Sequence, residues 1–324
     1  MQRRTILKTA LATLGTCLLA ASSAVLAQTY PAKTVTVIIP FPPGGTLDVV
    51  GRMLAQRLGQ QLGQTFVVDN RPGGAGTIGA IAVKQAQPDG YTLLFAPSTH
   101  VTTPLTMKTA PYDVAKDFSP VALVGKAPLA VALNKNLPAS DIKGLIAHAK
   151  ANPGKLSFAI GSTGSAGHLS TELLRRASGI EYVIVPYKGS APAYQDLIGG
   201  QIDGFIDPVL GSQPFARAGQ LKVIAVTSKT RLPNLPDVPT IGETVPGYEF
   251  YSWYGLWGPA NLPRDIALRL NAEVNKALAT DMRDKLVQQG LLLTPGSIED
   301  FVAFEREDVA RAAKIIAEGK IRAE

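Results

Sequence analysis

The segment Ile38-Ile39-Pro40-Phe41-Pro42-Pro43-Gly44-Gly45-Thr46-Leu47-Asp48 has the residue types of a loop that holds an anion on bare backbone. An apolar run leads into a proline-stiffened turn, then two glycines, then a helical pattern starting near Thr46. Prolines fix the approach, and glycines let another group come close to the main chain. The first N–H groups of a helix lack partners within it and carry a partial positive charge, which suits a carboxylate. The same residues also read as a tight turn capped by Thr46 or Asp48. No Gly-Lys-Ser/Thr follows, so a nucleotide phosphate is not indicated.

A second loop, Gly161-Ser162-Thr163-Gly164-Ser165-Ala166-Gly167-His168, follows the apolar run Lys155–Ile160 and opens a helix at about His168–Arg176. Its small residues expose amides and hydroxyls at another helix start; as an alternative it is a surface loop with a serine cap. It does not match the Gly-x-Ser-x-Gly of a nucleophile elbow. Ala96-Pro97-Ser98-Thr99-His100 and Pro186-Tyr187-Lys188-Gly189-Ser190 also end apolar runs. Ligands of open α/β sheets lie outside the carboxyl ends of strands, so all four loops are expected to rim one cleft. Within it, Ser98 and Thr99 offer hydroxyls. Tyr187 and Lys188 either hold a carboxylate or cover the lobe edge. Asp207 either accepts hydrogen bonds at the ligand or fixes a loop. The turn Asp69-Asn70-Arg71-Pro72-Gly73-Gly74-Ala75-Gly76 reads as packing beside the first loop or, with a helix starting near Thr77-Ile78-Gly79, as facing the ligand.

Catalytic chemistry has little to draw on. There are three histidines, a single cysteine (Cys17) and no clustered carboxylates. A hydrolase or lyase would have to use His100 or His168, and His168 falls in the first turn of a helix, where capping or packing is the simpler role. No His/Asp/Glu spacing matches a metal site, and no cofactor is implied.

The elements that must position these loops are short and alternate in type. Strands are expected at Thr34–Ile39, Thr65–Val68, Tyr91–Phe95, Leu129–Leu133, Lys155–Ile160, Tyr182–Val185, Ile202–Ile206 and Leu221–Val226, mostly as continuous apolar runs that suit parallel strands covered on both faces. Helical spacing joins Val50, Leu54 and Leu58, and again Ile266, Leu270, Val274 and Leu278. The class is α/β. Pro120–Leu133, where two apolar segments meet around Gly125-Lys126-Ala127-Pro128, and Tyr248–Pro263 read as crossings between lobes. Residues 28–125 plus 252–324 would form one lobe and residues 126–251 the other, with the cleft between them.

Residues 1–27 read as an export leader: Arg3, Arg4 and Lys8 precede an uncharged run that ends at Val25-Leu26-Ala27. The general secretory route fits best, although Arg3-Arg4 also resembles a twin-arginine signal. Cys17 lies in this leader, so the mature chain is expected to have neither disulfide nor thiolate site. The charge of +7 is spread along the chain without a basic cluster, which gives nucleic-acid binding no support and leaves room for an anionic ligand. No other apolar run has the roughly 20 residues a membrane helix needs.

Several motifs in this order resemble the receptor component of tripartite tricarboxylate transporters, the Bug-type periplasmic receptors. They are Pro40-Phe41-Pro42-Pro43-Gly44-Gly45 with Asp48, Asp69-Asn70-Arg71-Pro72-Gly73, Pro88-Asp89-Gly90-Tyr91-Thr92-Leu93, Tyr112-Asp113 with Asp117-Phe118, Val185-Pro186-Tyr187-Lys188-Gly189 and Leu235-Pro236-Asp237-Val238-Pro239-Thr240. The resemblance covers nearly the whole mature chain. It implies a two-lobed periplasmic-binding-protein fold of type II-like form, each lobe a mainly parallel sheet flanked by helices. It also implies a monomer that captures a small organic acid, a di- or tricarboxylate or an aromatic acid, and delivers it to integral-membrane transporter subunits. A periplasmic receptor that serves signalling would share the same pocket. By resemblance, one ligand carboxylate sits on Phe41, Gly44, Gly45, Thr46, the Ser162–Ala166 stretch and Asp207. Two departures, Ser165-Ala166-Gly167 before His168 and the pair Gly204 and Pro208, are expected to widen the cleft or make it less polar, which disfavours a small polar ligand such as aspartate.

Overall fold

The computed structural model describes residues 30–288 and 290–323, so the leader expected over residues 1–27 lies outside the described residues. Along the chain run β1 (Val35–Ile39), α1 (Thr46–Leu62), β2 (Phe66–Asn70), α2 (Thr77–Lys84), β3 (Thr92–Pro97), α3 (Thr99–Thr106), α4 (Val114–Asp117) and β4 (Phe118–Asn134). Then follow α5 (Ile142–Ala151), β5 (Ser157–Ile160), α6 (Ala166–Ser178), β6 (Val183–Pro186), α7 (Ser190–Gly199), β7 (Gly204–Pro208), α8 (Val209–Arg217) and β8 (Leu221–Val226). The last elements are β9 (Tyr251–Pro259), α9 (Arg264–Leu278), α10 (Asp281–Gln288), β10 (Leu292–Leu293) and α11 (Ile298–Gly319).

Two parallel trios, β2-β1-β3 and β6-β5-β7, stand at the ends of one mixed sheet. Between them, β9 and β4 run antiparallel to their neighbours, giving the order β2-β1-β3-β9-β4-β7-β5-β6 with β8 and β10 as further partners of β4. The inner parallel strands β1, β3 and β5 read as largely apolar runs because they are covered on both faces, whereas the edge strands β2 and β6 are mostly half-buried or exposed. On β1, Val35, Val37, Ile38 and Ile39 are all buried.

The two crossings are strands. β4 continues for 17 residues through Gly125-Lys126-Ala127-Pro128, where the sequence suggested two segments. It pairs with β9 from Phe118 to Pro128 and with β7 and β8 from Leu129 to Asn134, so it belongs to both halves of the sheet. The register shifts next to Pro120, which has no N–H to give to the ladder. β9 forms within the stretch expected only as a connection, and Ser252 to Pro259 are buried along it.

Apolar packing divides in the same way. Ile38, Leu94, Trp253, Trp257 and Phe301 form one cluster. Leu129, Phe158, Leu169, Ile206 and Phe250 belong to another. The 22-residue α11 serves both: Phe301 from its first turn packs in the former, and Ala312, Ile315 and Ile316 pack in the latter. Each of its large apolar side chains, Phe301, Ile315 and Ile316, contributes about 1.5–3 kcal/mol on burial. Helix α1 buries Val50, Leu54 and Leu58, and α9 buries Leu270, Val274 and Leu278, on the faces their spacing predicts. Among the described residues no helix is long and apolar enough to cross a membrane.

Candidate functional site

The four loops singled out in the sequence meet around one cleft. The turn after β1 supplies Phe41, Pro42, Pro43, Gly45 and Thr46, and the end of β3 supplies Pro97 with Thr99. The loop after β5 brings Ser162, Ser165 and Ala166. The loop after β6 brings Lys188 and Ser190, and β7 ends there at Asp207 and Pro208. Loops from opposite sides are nearly in contact: a side chain at Gly189 would begin 3.6 Å from Pro42.

Five helices, α1, α3, α6, α7 and α8, start at this cleft. Four of them, α1, α3, α7 and α8, have no side-chain cap. Only in α6 does a side chain serve, Ser165 accepting from the His168 N–H at 3.2 Å. The starts of these helices, with first-turn N–H groups that no side chain caps in four of them and dipole ends each equivalent to roughly half an elementary charge, therefore lie around one space. The walls between them are largely apolar: Phe41, Pro42, Pro97, Ala166, Pro208 and Tyr254. Lys188 is the sole cation among the lining residues, is exposed, and has no carboxylate partner among the described residues.

Asp207 is the sole lining carboxylate. It is buried and accepts from Ser190 Oγ at 3.0 Å and from Tyr194 OH at 3.2 Å. Burial pushes its pKa up to about 7, against the lowering effect of the two hydroxyls. The Oγ1 of Thr46 is buried and unpartnered, and faces the same place. A Cβ on Gly211 would lie 3.1 Å from Asp207 Oδ2, 3.1 Å from Tyr194 OH and 3.2 Å from Thr46 Oγ1. A side chain on Gly211 would press on all three oxygens at once.

The other expected site residues stand behind the lining. Gly44 holds a φ of +84° and donates its N–H to Asp48 Oδ2 at 3.0 Å, so Asp48 braces the loop from inside. Gly45 adopts an extended φ of −81°, and the conformational need for glycine in this turn falls on Gly44. Ser98 is buried and donates its N–H to the Trp253 carbonyl at 2.9 Å. Thr163 is half-buried in its loop, outside the lining. The Gly164 N–H donates to His168 Nδ1 at 3.2 Å, so His168 holds its own loop. Burial, with a smaller effect from the charge on Arg175, lowers the His168 pKa to about 4. Tyr187 donates to Asp196 Oδ2 at 2.6 Å. Gly204 does not widen the cleft: a Cβ there would meet the Phe158 ring at 2.4 Å, so it serves strand packing, whereas Pro208 does line the space.

His100 lies in a closed aromatic box of Tyr112, Phe118 and Trp257, and burial lowers its pKa to about 3. No group of three or more His, Cys, Asp or Glu that could hold a metal is found among the described residues. The reading of individual residues missed Ser252 and Tyr254, which β9 carries into the cleft, and Ala191 and Pro192 at the start of α7. Ala191 and Pro192 stand at a helix start as Thr46 does, and that shared position is the signal that marks them.

A family model described as the tripartite tricarboxylate transporter family receptor matches residues 50–321. Protein BugT of Bordetella pertussis (strain Tohama I) is 36% identical over 304 residues, covering 91% of each chain. Among solved structures, an R. palustris protein with adipate aligns at a TM-score of 0.88 and 38% identity, covering 90% of this chain and 99% of that one. MatC from Rhodopseudomonas palustris with bound malate aligns at 0.83 and 31% identity, covering 89% and 100%. The chain belongs to the tripartite tricarboxylate transporter receptor family and has its two-lobed periplasmic-binding fold.

Proposed function

We propose that this chain captures a small dicarboxylate in the cleft and presents it, unaltered, to the membrane subunits of a tripartite transporter in the periplasm. What carries this reading is the convergence of five helix starts on a space with apolar walls and a single lining cation. Backbone N–H groups suit one carboxylate. The apolar walls suit a short carbon chain, and Lys188 suits a second anionic group. Adipate and malate, held by two relatives, are both dicarboxylic acids. On this reading Phe41, Gly45, Thr46, Thr99, Ser162, Ser165, Ala166, Lys188 and Asp207 face the ligand. Gly44, Asp48, Ser98, Thr163, Gly164, His168 and Tyr187 form the frame behind them.

The halves of the chain given by residues 28–125 plus 252–324 and by residues 126–251 close on the ligand about β4 and β9, with α11 bridging them. A transport role without catalysis is supported by the positions of the two histidines that an enzyme reading would need: neither His100 nor His168 lines the cleft.

Thermal shifts against adipate, malate, citrate and aromatic acids test the proposal. A true ligand at 100 times its dissociation constant adds about 2.7 kcal/mol of stability. If no acid in the panel shifts the melting temperature, the carboxylate reading fails.

A further inference from the structure

The side chain of Thr102, in α3, donates from Oγ1 to the backbone carbonyl of Gly164 at 2.6 Å. The bond is buried and joins residues 62 positions apart, on opposite sides of the cleft. Gly164 is shaped for this contact. Its φ is +76°, and a Cβ there would stand 3.0 Å from Thr106 Cγ2 of the same helix, so a side chain would push the loop off α3. Its N–H is meanwhile fixed by His168 Nδ1.

Thr102 has a second acceptor on its own side. Its hydroxyl also lies 3.2 Å from the Ser98 carbonyl, four residues back in the chain. When the loop departs, the hydroxyl turns to Ser98 and stays paired, as threonines in helices do. The Gly164 carbonyl then goes to water. Opening would leave neither group orphaned, whereas in the arrangement seen here the Thr102 hydroxyl is what satisfies the buried Gly164 carbonyl, so losing that hydroxyl weakens this arrangement and not an open one.

We propose that Thr102 is a latch that sets how long a bound ligand stays, although it does not touch the ligand. Neither Thr102 nor Gly164 lines the cleft, but their neighbours Thr99, Ser162 and Ser165 do. Making the bond brings those three residues to the cleft together, and breaking it parts them. This makes Thr102 a positioning residue. The inference rests on the reading of the cleft as a ligand site that closes.

The test compares wild type with Thr102→Val, which keeps the shape and loses the hydroxyl, and Thr102→Ser, which keeps the hydroxyl. Adipate is the probe, and association and dissociation rates are measured separately. Spin labels on Gln60→Cys and Lys150→Cys report the distance between the two sides in ligand-free protein. We expect Thr102→Val to dissociate about tenfold faster with association changed by less than about twofold, and to show a longer or broader distance distribution. Thr102→Ser restores both. Wild-type dissociation and wild-type distances in Thr102→Val would overturn the latch. If wild type itself fails to bind adipate, the distances alone decide the latch: a longer or broader distribution in Thr102→Val supports it and an unchanged one overturns it. The missing binding then counts against the reading of the cleft.

Discussion

Asn70 and Asp48 are joined side chain to side chain, Nδ2 to Oδ1, at 2.9 Å, and the same Asn70 amide donates to the Phe41 carbonyl at 3.1 Å. The two glycine-rich turns that follow β1 and β2 are thereby fastened to each other. Burial alone would raise the Asp48 pKa, but hydrogen bonds from Arg52, Gly44 and Asn70 hold it below the usual carboxylate range. Its stabilising effect is therefore present above about pH 4 and is lost as the pH falls through its lowered value. Asp48→Ala is expected to lower the unfolding free energy by about 2 kcal/mol and to weaken ligand binding from behind the site. Urea denaturation and calorimetry on one sample check both, and unchanged values for each would contradict the bracing role.

Gly44 and Gly45 should respond differently to valine. Gly45 is extended, and a Cβ on it meets nothing within 4 Å, so Gly45→Val should fold at near wild-type stability. Its side chain would occupy the space at the helix start and remove most of the binding, of which two lost hydrogen bonds to a charged group account for about 3–6 kcal/mol. Gly44→Val forces a β-branched residue to a φ of +84° and is expected to cost about 1–2 kcal/mol of stability. Circular dichroism melts beside calorimetry separate the two. Wild-type affinity in folded Gly45→Val would remove that turn from the site.

Asp207 gives a pH dependence with a definite sign. Its ordinary value of 3.8 is raised to about 7 in the folded protein. The native state thus keeps a proton that the unfolded chain releases between about pH 4 and 7, and the contribution of Asp207 to stability falls as the pH rises through that window. Asp207→Asn has no such proton. Its melting temperature relative to wild type should be higher at pH 8 than at pH 5. His100 and His168, whose values are lowered by burial, act in the opposite direction below about pH 6.5, but equally in both proteins. An equal difference at the two pH values would show that Asp207 is ionised throughout.

His168→Ala tests chemistry against architecture. The variant loses the acceptor for the Gly164 N–H, so the ligand should leave faster. Chromatography of acid incubated with wild-type protein should return it unchanged. Product that accumulates with time and disappears in His168→Ala would place the protein among enzymes.

Much of this was legible in the sequence because it depends on local pattern. β8 falls on Leu221–Val226 as read, and β1, β3 and β5 to β7 lie within two residues of their apolar runs. β9 was hidden because its two faces are both covered. Ser252 and Tyr254 reach the cleft, while Trp253 packs the other way and donates to Asp308 at 2.7 Å, so no polar–apolar alternation marks it as a strand. For the site, the positions of the loops were readable from strand ends and glycines. The division of labour within a loop was not. Whether Asp48 or His168 faces the cleft or braces the turn depends on a side-chain direction that only the packed helix fixes.

The double allegiance of α11 has a consequence for the birth of the protein. Phe301 must join Ile38 and Leu94 from near the start of the chain, while Ala312, Ile315 and Ile316 must join Leu129 and Phe158 from its middle. Neither core can be finished before the last helix is made, and contacts so distant in sequence form slowly. As the chain leaves the ribosome N-terminus first, it carries two incomplete apolar surfaces through nearly all of its synthesis. Any factor that requires an unfolded chain thus has that whole interval in which to engage it. Nascent chains arrested before Ile298 should accordingly remain open to protease at the surfaces that Phe301, Ala312, Ile315 and Ile316 cover in the finished protein.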